Sequence, residues 1–325
     1  MFENPLINAL IIIVSLVVLD RASDLTATNA VRISDKTAYG KTKMGFVLVA
    51  FCSSMPALSV SIMASLTGRF DLAVGNAVGS NLANVSLFLG FCLILATFRK
   101  LEKRWPLSFM TLEELLSLYF GLFVGSVVPL ILIYMGFADR FLGIFLVAVF
   151  LIYTYRLLAR KNPREKPISE AEPKSETSKF TFLAILGGIV IVVASYFMVD
   201  SASIIAEYFH IDRVIIGGTV VAFGTSVPVL LTSIRAILKG HPDLSLGNIV
   251  GTVFVNTTLI LGGSFAVGAW NADIAAYSSL FVFSVIANLF VWLFLSHERL
   301  GWKEGAILVF LYAIFLIISF GGYKP

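Results

Sequence analysis

VAFGTSVPVLLTSIRAILKGHPDLSLGNIVGTVFVNTTLILG, residues 221–262, repeats a segment that occurs earlier in the chain. Residues 49–90 read VAFCSSMPALSVSIMASLTGRFDLAVGNAVGSNLANVSLFLG, and the two copies align without a gap at a constant offset of 172 residues. Ala50, Phe51, Ser54, Pro56, Gly68, Asp71, Gly75, Asn76, Gly79 and Asn84 recur at Ala222, Phe223, Ser226, Pro228, Gly240, Asp243, Gly247, Asn248, Gly251 and Asn256. About half of the positions are identical. Two apolar helices share composition by chance. They do not share ungapped Pro, Asn, Asp and Gly positions over this length.

The sequence around the repeat is that of a membrane protein. Of 325 residues, 58% are hydrophobic and 14% charged. Soluble domains carry about 25% charged residues, and one aqueous core could not hide so much apolar surface. A lipid bilayer accepts it, because the outer surface is then apolar as well. A spanning helix needs about 20 mostly apolar residues. Ten such stretches stand out: 5–31, 43–67, 71–98, 109–135, 138–159, 180–209, 213–239, 243–268, 273–296 and 301–322. The expected fold is all-α, with ten transmembrane helices. The first apolar stretch is long enough to span and is not read as a cleavable signal. Residues 161–179, rich in Pro, Glu, Ser and Lys, form a polar linker. It divides the chain into five-helix units over 1–160 and 180–325. The first copy of the motif begins on span 2 and the second on span 7, so the copies enter the membrane from opposite sides. Inverted repeats of this kind are a recurring construction of secondary transporters, with the site near the midplane where the repeats meet.

Orientation follows from the basic residues, which concentrate on the cytoplasmic side. Placing both termini outside puts most of the 24 Lys and Arg in or beside the loops after spans 1, 3, 5, 7 and 9. Arg69, Arg140, Arg213 and Lys324 remain on the other face, and Arg21 lies within span 1. The linker is then cytoplasmic. Compactness and short loops point to a prokaryotic cell membrane. The net charge of +4 is accounted for by this asymmetry and is no signal for nucleic acid. Cys52 and Cys92 both sit in apolar stretches and suggest no disulfide framework. The three histidines lack metal-ligand spacing, and no nucleophile–base pair marks an enzyme.

The polar residues inside the repeats are the candidate site. Pro56 and Pro228 each remove a helix hydrogen bond in mid-span, which leaves carbonyls in the turns from Ala50 and Ala222 onward free to face a cavity. Ser53, Ser54, Thr225 and Ser226 add hydroxyls on the same turns. Asn76, Ser80 and Asn84 share one helix face at i, i+4 and i+8, and Asn248, Thr252 and Asn256 do likewise. These groups either bind a guest or hold helices together; their symmetry about two prolines favours a guest. The expected ligands are Ala50, Ser53, Ser54, Ser80, Asn84, Ala222, Thr225, Ser226, Thr252 and Asn256.

The segments AFGTSVP at 222–228, GNAVGSNLAN at 75–84 and GNIVGTVFVN at 247–256 resemble the cation/calcium exchanger superfamily, which includes the sodium/calcium exchangers. VDSASIIAEYF at 199–209, matched by LDRASDLTATN at 19–29, extends the resemblance over nearly the whole chain. It implies two inverted five-helix repeats and a central cation site on helices 2, 3, 7 and 8. It also implies alternating access by sliding of helices 1 and 6. Each family proline is followed by an acidic residue that binds calcium and sodium, whereas this chain has Ala57 and Val229 there. The matching positions on helices 3 and 8 are the neutral Asn84 and Asn256. Calcium takes 6–8 oxygens, usually several of them carboxylate. Neutral carbonyl and hydroxyl cages hold monovalent cations.

The expectation is therefore a cation antiporter with altered, non-calcium selectivity, its substrate a small inorganic cation such as Na+ or K+. Two alternatives stay open: a non-transporting relative acting as a sensor or assembly partner, and a leak-like channel. Asp20 and Asp200 occupy matching places in the repeats and either neutralise a passing cation or pair locally. Arg235, four residues before Lys239, either snorkels to the cytoplasmic face or attends the site. Trp105, Trp270 and Trp302 read as interfacial anchors.

Overall fold

The protein is described from a computed structural model, which covers residues 4–34, 49–98, 110, 112–159, 174–238, 242–271, 274–296 and 300–321. Its helices are α1 (Pro5–Ser34), α2 (Ala50–Ser53), α3 (Met55–Leu66), α4 (Phe70–Phe98) and α5 (Leu112–Met135) in the first repeat. Helix α6 (Arg140–Ala159) completes that repeat. The second repeat holds α7 (Lys174–Tyr208), α8 (Arg213–Leu238), α9 (Pro242–Val267), α10 (Ile274–Ser296) and α11 (Trp302–Gly321). Among the described residues, nine helices are long and apolar enough to cross a membrane. They fall on nine of the ten expected spans.

The surface of the bundle is greasy. Leu10, Val14, Tyr134, Phe141, Ile189, Phe310 and Ile317 are all exposed, which is favourable only in lipid. Lipid tails are as apolar as leucine, so burial alone does not draw such helices together. Close packing and interhelical hydrogen bonds do. A Cβ on Gly90 of α4 would lie 2.7 Å from the Gly305 carbonyl oxygen of α11, and one on Gly262 of α9 would lie 3.0 Å from that of Gly143 in α6. Gly90 and Gly262 are repeat equivalents, so the two interfaces are counterparts. The absence of a side chain lets each pair of backbones touch.

Helices α1 and α7 pack along each other. They share an apolar cluster of Ile12, Leu19, Ile191, Met198 and Ala202 that also takes in Val60 of α3 and Leu72 of α4. The larger cluster, centred on α4 and α9, includes Val78, Leu82, Ile249 and Phe254.

Several details depart from expectation. The second span is interrupted at one residue: Ser54 (φ −89°, ψ −1°) is a turn between α2 and α3 two residues before Pro56, although it stays in the right-handed helical region and its N–H still reaches the Ala50 carbonyl. The start of that span, 43–48, lies outside the described residues. In the other repeat, Pro228 is carried within a continuous α8. Helix α7 begins at Lys174, inside the stretch read as linker, because nothing after Pro173 prevents a polar first turn; 160–173 lie outside the described residues. Trp270 is not an interfacial anchor. A two-residue antiparallel pairing of β1 (Phe137–Ala138) with β2 (Trp270–Asn271) draws the loop inward. Trp270 is buried against Phe265, Tyr277 and Phe281. Its indole donates to the Tyr277 hydroxyl at 3.1 Å, and that hydroxyl donates to Asp71. Trp302 is half exposed, as an interfacial residue should be, and Trp105 lies outside the described residues. So do most of the basic residues that set the orientation.

Candidate ion-binding site

Three wide π-helical turns mark the centre. In α4 the turn spans Ala83–Phe88 and contains Asn84; in α9 it spans Asn256–Ile260 and opens on Asn256. In α8 it spans Gly217–Val221 and ends just before Ala222. Val49, the repeat equivalent of Val221, has the same wide backbone just before Ala50. A π turn inserts one residue into a helix and re-aims the side chains around it, which is why such turns gather at functional sites. Helices α4 and α8 approach so closely that a Cβ on Gly79 would collide with the Gly218 backbone.

Asn76 and Asn248 lock the four central helices with the same hydrogen bonds in each repeat. The Asn76 amide donates to the Ala57 carbonyl at 3.1 Å and to the Ser61 hydroxyl at 2.9 Å. The Asn248 amide donates to the Val229 carbonyl at 3.2 Å and to the Ser233 hydroxyl at 2.9 Å. Each asparagine oxygen then accepts a hydroxyl from the opposite repeat: Thr225 to Asn76 at 2.9 Å, and Ser53 to Asn248 at 3.1 Å. Ser61 and Ser233 were not singled out from the sequence, although their recurrence at the repeat offset was the available signal.

Among the described residues, several buried polar groups lack a hydrogen-bond partner, Asn288 and a number of serines included, and one subset of them is symmetric about the repeats. Both side-chain atoms of Asn84, both of Asn256, and the Ser54 hydroxyl are buried without a hydrogen bond. A buried polar group left unsatisfied costs about 1–3 kcal/mol, so such a set is poor helix glue. Asn84 and Asn256 are repeat equivalents on the two π turns, the place where a guest would be held. Each asparagine offers a carbonyl oxygen of the kind that can ligate a cation and an NH2 group that can donate to a water.

The other expected ligands are engaged to different degrees. Ser53 and Thr225 donate across the repeats as described, which leaves oxygen lone pairs available. The Ala50 carbonyl accepts the Ser54 N–H at 3.0 Å. It also has the Ser53 hydroxyl at 3.2 Å, so it is not freed by Pro56. The Ala222 carbonyl takes the Thr225 hydroxyl at 3.3 Å and the Ser80 hydroxyl at 3.4 Å. Thr252 turns back to the Asn248 carbonyl at 2.8 Å. Ser226 is buried. Ala57 and Val229 are 2% and 1% exposed and belong to the apolar core.

Asp200 is paired with Arg69 at 2.8 Å, joining α7 to the α3–α4 turn. Asp20 is half-buried and has an interaction of its own. Arg235 is exposed in the last turn of α8, as a snorkelling side chain would be.

A family model described as "Sodium/calcium exchanger protein" matches residues 7–159 and 179–321. A putative antiporter, CaxA of Alkalimonas amylolytica, is 29% identical, with 98% of each chain covered. The sodium/calcium exchanger MaX1 of Methanosarcina acetivorans is 28% identical, with 97% of this chain and 99% of that one covered. Among solved structures, the sodium-calcium exchanger NCX_Mj soaked with 10 mM Na+ and zero Ca2+ is similar with a TM-score of 0.67 and 23% identity. That match covers 96% of this chain and 99% of the other, and is a likeness of fold.

Proposed function

The chain belongs to the sodium/calcium exchanger protein family, and we propose that it is a secondary antiporter whose central site takes a monovalent cation, Na+ or K+, in place of calcium. Its relatives are exchangers and antiporters, not enzymes. The observation that carries the selectivity is the neutrality of the site. Asn84, Asn256 and Ser54 offer buried oxygens that no protein group uses, while Ala57 and Val229 occupy the two places where an acid would stand. Dehydrating an ion in a low-dielectric centre costs several kcal/mol even after relaxation, and far more for a divalent ion than for a monovalent one. Dipoles without a carboxylate compensate the smaller cost only.

In this reading the inverted units 1–160 and 180–325 expose the site alternately to the two sides of a prokaryotic cell membrane. Both termini lie outside and the 161–179 linker is cytoplasmic, as the basic residues favour. Two of the similar proteins come from a bacterium and an archaeon.

The test is thermal unfolding of the purified protein against a series of chloride salts at constant ionic strength, followed by flux into vesicles. A cation that binds only the folded state at 100 times its Kd stabilises it by about 2.7 kcal/mol. Na+ or K+ is expected to raise Tm, and Ca2+ to do nothing beyond the salt control. Ser54→Ala together with Ser226→Ala is expected to abolish flux in a folded protein. Stabilisation by Ca2+ alone overturns the selectivity. Flux that ignores the counter-ion points to a leak, and neither shift nor flux points to a non-transporting relative.

A further inference from the structure

At one end of the bundle, the start of α5 and the ends of α6 and α10 surround a pocket of about 510 Å3. Its walls are aromatic. Phe120 of α5 stacks on Tyr153 of α6 with ring centres 4.4 Å apart, and Tyr119 of α5 lies 4.9 Å from Trp292 of α10. The Tyr119 hydroxyl is 3.3 Å from that of Ser296. Phe123, lower on α5, continues the wall and is half exposed. Arg156, in the last turn of α6, also lines the pocket. It is exposed, and among the described residues it forms no ion pair. Glu114, earlier on α5, has a partner of its own.

We infer that this pocket seats an anionic phospholipid, with an acyl chain against Phe120 and Phe123 and the headgroup phosphate on Arg156. Three features select that ligand. The pocket opens beside Leu116 and Phe123, two apolar side chains exposed on the outside of the bundle. Tyr and Trp at span ends sit at headgroup depth, where an apolar ring meets water. A guanidinium at that depth lowers its energy by meeting an anion, and its planar fork suits phosphate. A free phosphate ion would gain nothing from the aromatic wall, and a zwitterionic lipid would gain less from the cation.

The pocket also borders the helix that carries Asn256. Phe254 of α9 has its ring 5.8 Å from Phe120 and 5.0 Å from Tyr153. A seated acyl chain therefore backs the wall on which α9 rests. The inference stands whichever ion is carried.

The experiment uses the full chain, delipidated in detergent, with phosphatidylglycerol or phosphatidylcholine of identical chains added back. Bound lipid is counted by native mass spectrometry and Tm is followed in parallel. Phosphatidylglycerol is expected to be retained and to raise Tm more than phosphatidylcholine. Arg156→Gln, at an exposed position, is expected to keep the lipid-free Tm and weaken phosphatidylglycerol retention at least tenfold, with Arg156→Lys between the two. Phe123→Ser should lower retention of both lipids. Equal effects of the two lipids, or an unchanged Arg156→Gln, overturn the proposal. So does inorganic phosphate alone reproducing the shift, which would mark a free-anion site. A shift that tracks protein concentration instead of lipid would mark a second copy as the occupant and overturn it equally.

Discussion

Thr225 holds Asn76 from across the repeat boundary, its hydroxyl 2.9 Å from the asparagine oxygen, while the same asparagine grips Ala57 and Ser61 of its own repeat. One side chain thus joins α3, α4 and α8. Asn76→Ala removes three hydrogen bonds and leaves the Thr225 hydroxyl to find another acceptor. The expected loss is about 2–4 kcal/mol, read as a lower Tm in detergent. Asn248→Ala should behave alike, and Thr225→Val should lose about 1 kcal/mol.

Asn84→Ala and Asn256→Ala should show the opposite pattern. Among the described residues these amides have no hydrogen-bond partner, so truncation removes a desolvation penalty and leaves a small void, effects of about 1–3 kcal/mol each and opposite sign. The ion-free Tm should move little, whereas the cation-dependent rise should vanish. Losses as large as that of Asn76→Ala would make them structural.

Ala57→Glu places an acid at the position after Pro56, where the resemblance implies one. The site is fully buried, so an unpaired carboxylate should cost several kcal/mol without an ion. Calcium should then recover most of the stability, giving a calcium-dependent Tm rise that the parent protein is expected to lack. Isothermal titration of both proteins with Ca2+ checks it.

Arg69 and Asp200 offer a measurable coupling. Both are partly exposed, at 24% and 17%, so the pair is worth about 0.5–1 kcal/mol after solvent screening. A double-mutant cycle with Arg69→Gln and Asp200→Asn should return a coupling of that size, shrinking as salt rises.

Gly79→Ala should be among the most damaging single changes in the chain. The added methyl meets the Gly218 backbone, which has no rotamer with which to retreat. Overpacking of that kind costs about 1–3 kcal/mol or more. Gly68→Ala is a useful contrast: its Cβ meets nothing, and only its left-handed backbone (φ 74°) opposes the change.

The bundle was legible in the sequence because a bilayer permits so few alternatives. Twenty apolar residues have little choice but to span, and an ungapped repeat with its polar residues in register identifies the central helices. The pairing of Asn76 with Thr225 was not legible. Helical periodicity shows that Asn76, Ser80 and Asn84 share a face, but not which of them spends its bonds on protein and which keeps them. That division depends on distances between helices far apart in sequence. The π turns were hidden for a related reason, since one inserted residue leaves the apolar pattern of a spanning helix unchanged. Trp270 was misread because its burial comes from a two-residue strand pairing too short to leave a pattern.

Ser54 interrupts one repeat where Ser226 continues a helix through the other. In the antiporter we propose, two halves related by an exact two-fold rotation would make the inward and outward journeys equal in energy. A single turn residue present in one half only lifts that requirement, so substitutions at Ser54 and Ser226 should not be equivalent in their effect on which side is favoured at rest.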